Sequence, residues 1–105
     1  MIAVYKNITS TGITNLISKI NRDAGSVQTF SISTITISNN STSNEATVSL
    51  QFWDGTSVGY NIIGNMKIPA GVTLVLNDNL GFDQSEFNLR AEVSGTSPIL
   101  DIIIK

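Results

Sequence analysis

Glu45-Ala46-Thr47-Val48-Ser49-Leu50-Gln51-Phe52-Trp53 is the stretch whose reading decides the fold class. Its apolar residues Ala46, Val48, Leu50 and Phe52 alternate with Thr47, Ser49 and Gln51. Successive side chains of a strand point to opposite faces, so this order builds a β-strand with one dry and one wet side. An antiparallel sheet packed on one face shows that alternation, whereas a parallel sheet buried on both does not. Asp54-Gly55 follows at once and predicts a type I′ hairpin, whose two central residues both need positive φ. The return strand is predicted over residues 56–63.

The same period recurs on either side. Val72, Leu74 and Leu76 repeat at every second position, as do Phe87, Leu89, Ala91 and Val93 around Asn88, Arg90 and Glu92. Pro69-Ala70-Gly71 breaks the chain before Val72, and residues 94–98 predict a hairpin before a last strand over 99–105. The polar stretches 21–26 and 39–44 read as loops. Two segments are less regular. Ile13, Leu16, Ile17 and Ile20 have helical spacing, but the run is barely two turns, so a strand is preferred. Phe30 and Ile32 share one phase while Ile35 and Ile37 share the other. A bulge near Ser33-Thr34 restores all four to the core; otherwise the strand crosses from one sheet to the other. About eight short strands result, and with turn signals this frequent they predict a single antiparallel β-sandwich, jelly-roll or immunoglobulin-like, as one domain over 1–105.

Composition narrows the function. Of 105 residues, 41% are hydrophobic and only 13% charged, while thirteen Ser, eleven Thr and eleven Asn supply a third of the chain. The absence of Cys and His removes disulfides, thiolate nucleophiles, imidazole bases and the usual zinc ligands. A net charge of −2 is the wrong sign for displacing phosphate counterions, so no nucleic-acid partner is expected. No apolar run approaches the ~20 residues of a membrane span, and MIAVYKNITS lacks the layout of a signal peptide. No enzyme is expected either, because none of the Ser residues has an imidazole to activate it and the glycines form no phosphate-binding loop. The one concentration of carboxylates, Asp78, Asp83 and Glu86, is a weak calcium candidate. Its spacing does not match an EF-hand loop, and an ordinary connection, in which Asx side chains imitate turns, is the preferred reading. No cofactor is expected.

Apolar residues in the wrong phase are more informative. Ala3 and Tyr5 alternate with the core-phase residues of the first strand, Trp53 is out of phase with Phe52, and Val75 interrupts the polar side of its strand. Ile99 and Ile103 oppose Leu100, Ile102 and Ile104. These six residues are the expected interface: both terminal strands pack on two faces, the second against another subunit. A surface of hydroxyls and amides suits repeated packing, since it hydrogen-bonds without the desolvation cost of ions.

Several stretches carry a resemblance. Tyr5-Lys6-Asn7-Ile8-Thr9, Ser31-Ile32-Ser33-Thr34-Ile35-Thr36-Ile37-Ser38-Asn39-Asn40, Asp54-Gly55, Ile68-Pro69-Ala70-Gly71-Val72-Thr73-Leu74-Val75-Leu76 and the closing Ile102-Ile103-Ile104-Lys105 are its carriers. Together they resemble small virion structural proteins of tailed bacteriophages, particularly marine and cyanobacterial ones. The resemblance implies a β-sandwich present in repeated copies, decorating a capsid as a cement protein or sitting in the neck, collar or tail. It implies the major capsid protein, other virion proteins and its own copies as partners, and the virion, assembled in the host cytoplasm, as location. It carries no catalytic residues. A second class of function, a carbohydrate- or receptor-binding sandwich, needs an aromatic platform, for which Trp53, Tyr60 and Tyr5 are the candidates.

Overall fold

The computed structural model describes residues 3–20, 29–77 and 79–105, and these contain strands and no helix. Ten strands follow one another: β1 (Val4–Ile8), β2 (Gly12–Ile17), β3 (Thr29–Ile32), β4 (Ile35–Asn39), β5 (Ala46–Trp53), β6 (Gly59–Ile68), β7 (Thr73–Leu76), β8 (Leu80–Asp83), β9 (Asn88–Gly95) and β10 (Leu100–Ile104). Pairing is antiparallel and nested. β1 pairs β10, β2 pairs β9, β3 pairs β8, β4 pairs β7 and β5 pairs β6. The chain is thus one long ribbon folded in half at the loop between β5 and β6.

The ribbon winds into two four-stranded sheets, β1-β10-β4-β7 and β2-β9-β5-β6, with β3-β8 as a two-stranded extension. Setting β3 and β8 aside, this is the strand order of a jelly roll, so the fold is an all-β antiparallel sandwich of that type. The inner faces share one core: Ile37, Leu100 and Ile102 from the first sheet meet Val48, Leu50 and Leu89 from the second. Each side chain of this size contributes about 1.5–3 kcal/mol by leaving water.

The strand count is ten rather than eight for two local reasons. Ser33 and Thr34 split the expected strand over 27–38, because both their N–H groups donate to Lys105 O, at 2.7 and 3.0 Å. That is a bulge, and it also hands the chain from β3's sheet to β4's, with Ile32, Ile35 and Ile37 all buried. The second addition, β8, arises within the stretch read as a connection, where Leu80–Asp83 pairs with β3. The helical spacing near Ile13 is also a bulge. β2's register against β9 shifts between Asn15 and Ile17, so Leu16 and Ile17 are both buried.

Two turns differ from expectation. Asp54-Gly55 is not a type I′ pair: Gly55 alone has positive φ, at 95°, and the loop runs from Asp54 to Val58. The Asp54 carboxylate organises it by accepting the N–H groups of Thr56, Ser57 and Val58 at 2.8, 2.9 and 3.1 Å. Residues 94–98 form no hairpin, since β9 and β10 belong to different sheets and this connection crosses the sandwich. The Pro69-Ala70-Gly71 corner also crosses between sheets, with Val72 N donating to Pro69 O and Gly71 at φ 78°, as a type II turn requires. The loop expected over 21–26, and residues Ile2, Val27 and Gln28 of the expected strands, lie outside the described residues.

Candidate interaction surface

The outer face of the β1-β10-β4-β7 sheet follows from its register. Tyr5 is opposite Ile103, Ile103 opposite Thr36, and Thr36 opposite Val75. The four side chains therefore form a single row across all four strands, on the side away from the core. Tyr5 is 67% exposed and Val75 53%, while Ile103 and Thr36, on the two central strands, are half-buried by their neighbours. The sandwich turns this row outward because the alternate residues Ile102, Ile37 and Leu74 are needed inside.

A polar row runs beside it: Asn7, Asp101, Ser38 and Thr73. The Asp101 carboxylate accepts Asn7 Nδ2 at 2.7 Å and Asn40 Nδ2 at 2.6 Å, and the Ser38 and Thr73 hydroxyls bond at 3.0 Å. On the other flank Thr34 Oγ1 donates to Asn77 Oδ1 at 3.4 Å. A mainly apolar stripe with a hydrogen-bonded polar row on one flank and the Thr34–Asn77 pair on the other resembles the way a protein interface is built, with a drier centre and a polar rim. An open depression of about 310 Å³ lies at the β1 end, lined by Tyr5, Lys6, Asn7, Asp101, Ile102 and Ile103.

The remaining expected interface residues divide between the sheets. Ala3 is exposed one step beyond β1 in Tyr5's phase, and Ile99, 42% exposed, precedes β10 in Ile103's phase. Trp53 does not join them. It lies on the outer face of the other sheet, half-buried, with the Arg90 guanidinium 4.0 Å from its ring centroid. Arg90 Nε in turn donates to Gln51 Oε1, and Gln51 Nε2 to Asn61 Oδ1 at 2.9 Å. Around Trp53 that face is polar and the indole is already covered by a cation, while Ile13 stands exposed on the same face in β2. The three candidate sugar platforms are consequently scattered. Tyr5 is on one sheet and Trp53 on the other, and Tyr60 stacks edge-on to Phe87 on the inner side of β6's edge.

Of the carboxylates, Asp78 lies outside the described residues. Asp83 caps the turn after β8: its Oδ1 accepts Ser85 N at 2.9 Å and Ser85 Oγ at 2.5 Å, and its carbonyl accepts Glu86 N and Phe87 N. Glu86 is exposed on that turn. Among the described residues no three acidic side chains gather as a metal site would need.

Thr36 and the Asn7–Asp101–Asn40 network have no signal in the sequence, because polar residues on a wet face look alike until the register is known. Comparison with protein families, with curated proteins and with solved structures returns no match to this chain.

Proposed function

We propose that this chain is a non-enzymatic structural protein of a tailed-phage particle, a capsid decoration protein that packs on the shell and its own copies through the outer face of the β1-β10-β4-β7 sheet. The observation that carries the assembly role is the outward row Tyr5–Ile103–Thr36–Val75, which a monomer with a wet outer face has no use for. The phage assignment rests on the sequence resemblance. The jelly roll agrees with it without deciding it, since the fold also serves lectins and cupins. The scattering of Trp53, Tyr60 and Tyr5 favours assembly over sugar recognition. Four strands about 4.8 Å apart, with four or five residues each, give a face of only roughly 300 Å². A stable pairwise contact needs ~800 Å² per partner, so one copy attaches weakly and many copies on a lattice supply the avidity.

The test is attachment to purified particles lacking this chain. The wild-type protein should bind at fixed copy number and raise the particles' resistance to heat. Ile103→Asp places a charge in the middle of the row and should retain the sandwich, read by circular dichroism, while attachment is lost. Ile103→Thr, a milder change, should weaken it. Attachment of the Ile103→Asp protein at wild-type copy number would refute the role of this face.

A further inference from the structure

Each four-stranded sheet ends in two edges, and three of the four resist pairing with another strand. In β1, Lys6 is in register with the buried Ile102, so an exposed side chain bearing an ammonium group sits on the inner side of that edge. The β2 edge is bulged between Asn15 and Ile17. The β6 edge shifts register twice against β5 and holds Asn65 at φ 50°. Inward charges and bulges are the means by which natural edges avoid adding a strand. Thr73-Leu74-Val75-Leu76 of β7 has neither, nor any Pro or Gly, and its register against β4 is unbroken.

The hydrogen-bond phase shows which groups this edge presents. Asn39 N donates to Val72 O at 2.9 Å, so by alternation Ile37 bonds Leu74 and Ile35 bonds Leu76. The other side of β4 agrees: Asn40 N donates to Ile99 O, and Thr34 and Lys105 exchange both bonds. The N–H and C=O of Thr73 and Val75 therefore point away from β4, toward an edge on which no described strand pairs.

We infer that β7 is a self-pairing edge, which takes β7 of a second copy of this chain in antiparallel register about a two-fold axis at Val75. Val75 then exchanges both backbone bonds with Val75 of the second copy, and Thr73 does so with Asn77 of the second copy. The pleat stays in phase, with Leu74 beside Leu76 on the inner side and the two Val75 side chains adjacent outside. The row Tyr5–Ile103–Thr36–Val75 continues without a break into the same row of the two-fold-related copy in an eight-stranded sheet. A slip of one residue would put Leu on the wet face, so the register is specified. The strand's own sequence matches itself face for face, which makes a second copy of this chain the occupant.

The contact uses the edge of the sheet and not its face, so it stands apart from the particle reading. Val75→Pro removes the N–H that faces the edge and leaves the Leu74 and Leu76 bonds to β4 intact. Sedimentation of the wild-type chain at rising concentration should show its mass moving from 11.2 kDa toward twice that value. Hydrogen exchange at Thr73 and Val75 should slow with it, about tenfold when nine-tenths of the chains are paired. Val75→Pro should stay monomeric; if its circular dichroism departs from wild type, Val75→Lys is read instead. Ile103→Asp should still pair, even where it no longer attaches to particles. A wild-type chain that remains at 11.2 kDa, a doubled mass without slowed exchange at these two amides, a paired Val75→Lys protein, or loss of pairing in Ile103→Asp would each overturn the inference.

Discussion

Replacing Asn39 tests whether the end of β4 is the point where the two sheets are tied. This residue is 1% exposed, and its side chain makes three hydrogen bonds. Nδ2 donates to Asn44 O and Ile68 O, both at 2.9 Å, and Oδ1 accepts Ser41 N at 3.1 Å. Its backbone also donates to Val72 O and accepts Gly71 N. Two inter-sheet corners, β4 to β5 and β6 to β7, thus meet on one amide. Asn39→Ala removes three bonds worth about 1 kcal/mol each and leaves buried partners unsatisfied, so a loss of about 3 kcal/mol is expected. For a domain of this size that lowers Tm by roughly 15 °C. Asn39→Asp should cost more at neutral pH, since a carboxylate has no proton to give the two carbonyls it faces. Burial and those carbonyls raise the pKa of the introduced acid, so its penalty is largest above that pKa and shrinks as pH falls through it. Thermal and urea unfolding followed by circular dichroism measure both. An Asn39→Ala protein within about 1 kcal/mol of wild type, or an Asn39→Asp protein with no such pH dependence, would show that the corners hold without this amide.

Two further perturbations bear on the turns. The three N–H groups around Asp54 lower its pKa from 3.8 to about 2. The stability it lends is therefore complete above the unfolded value and is lost as pH falls through about 2, a loss that Asp54→Ala should lack. A carboxyl titration by NMR with its midpoint at 3.8 would contradict that geometry. Gly95 and Gly12 both have positive φ, at 126° and 116°, but a Cβ at Gly95 would lie 2.9 Å from Glu45 O while one at Gly12 meets nothing within 4 Å. Gly95→Ala should therefore cost about 3 kcal/mol or more and Gly12→Ala about 1, and equal costs in urea unfolding would count against the close approach.

Strict alternation was legible and carried through in β5 and β9, and the period-two repeats of Leu74 and Ile102 put β7 and β10 where they lie despite Val75 and Ile103 on the other phase. The period was harder to read where one extra residue broke it, although the strand preferred over a helix around Ile13 is β2. Leu16 and Ile17 enter the core together through a bulge, and a bulge imitates helical spacing in a short run. Leu80-Gly81-Phe82-Asp83 gave no signal because a four-residue strand is defined by its partner, and β3 lies about fifty residues away. The 94–98 turn was seen, but not its destination, because Gly and Ser end a strand equally well before a hairpin or a crossing. For the surface, the outward phase of Tyr5, Val75 and Ile103 could be read locally. Their alignment with Thr36, and the separation of Trp53 beneath Arg90, depend on register between distant strands.

The nested pairing has a kinetic side. Closing the loop from Asp54 to Val58 encloses five residues, whereas bringing β1 to β10 directly would enclose about ninety, an entropic difference of roughly 2.5 kcal/mol. Zippering from the β5–β6 tip toward the termini is the cheaper route, with each step adding only a short connection. On that route the strands bearing Tyr5 and Ile103 arrive last, so the stripe spans all four strands only once the ends of the chain have been laid down.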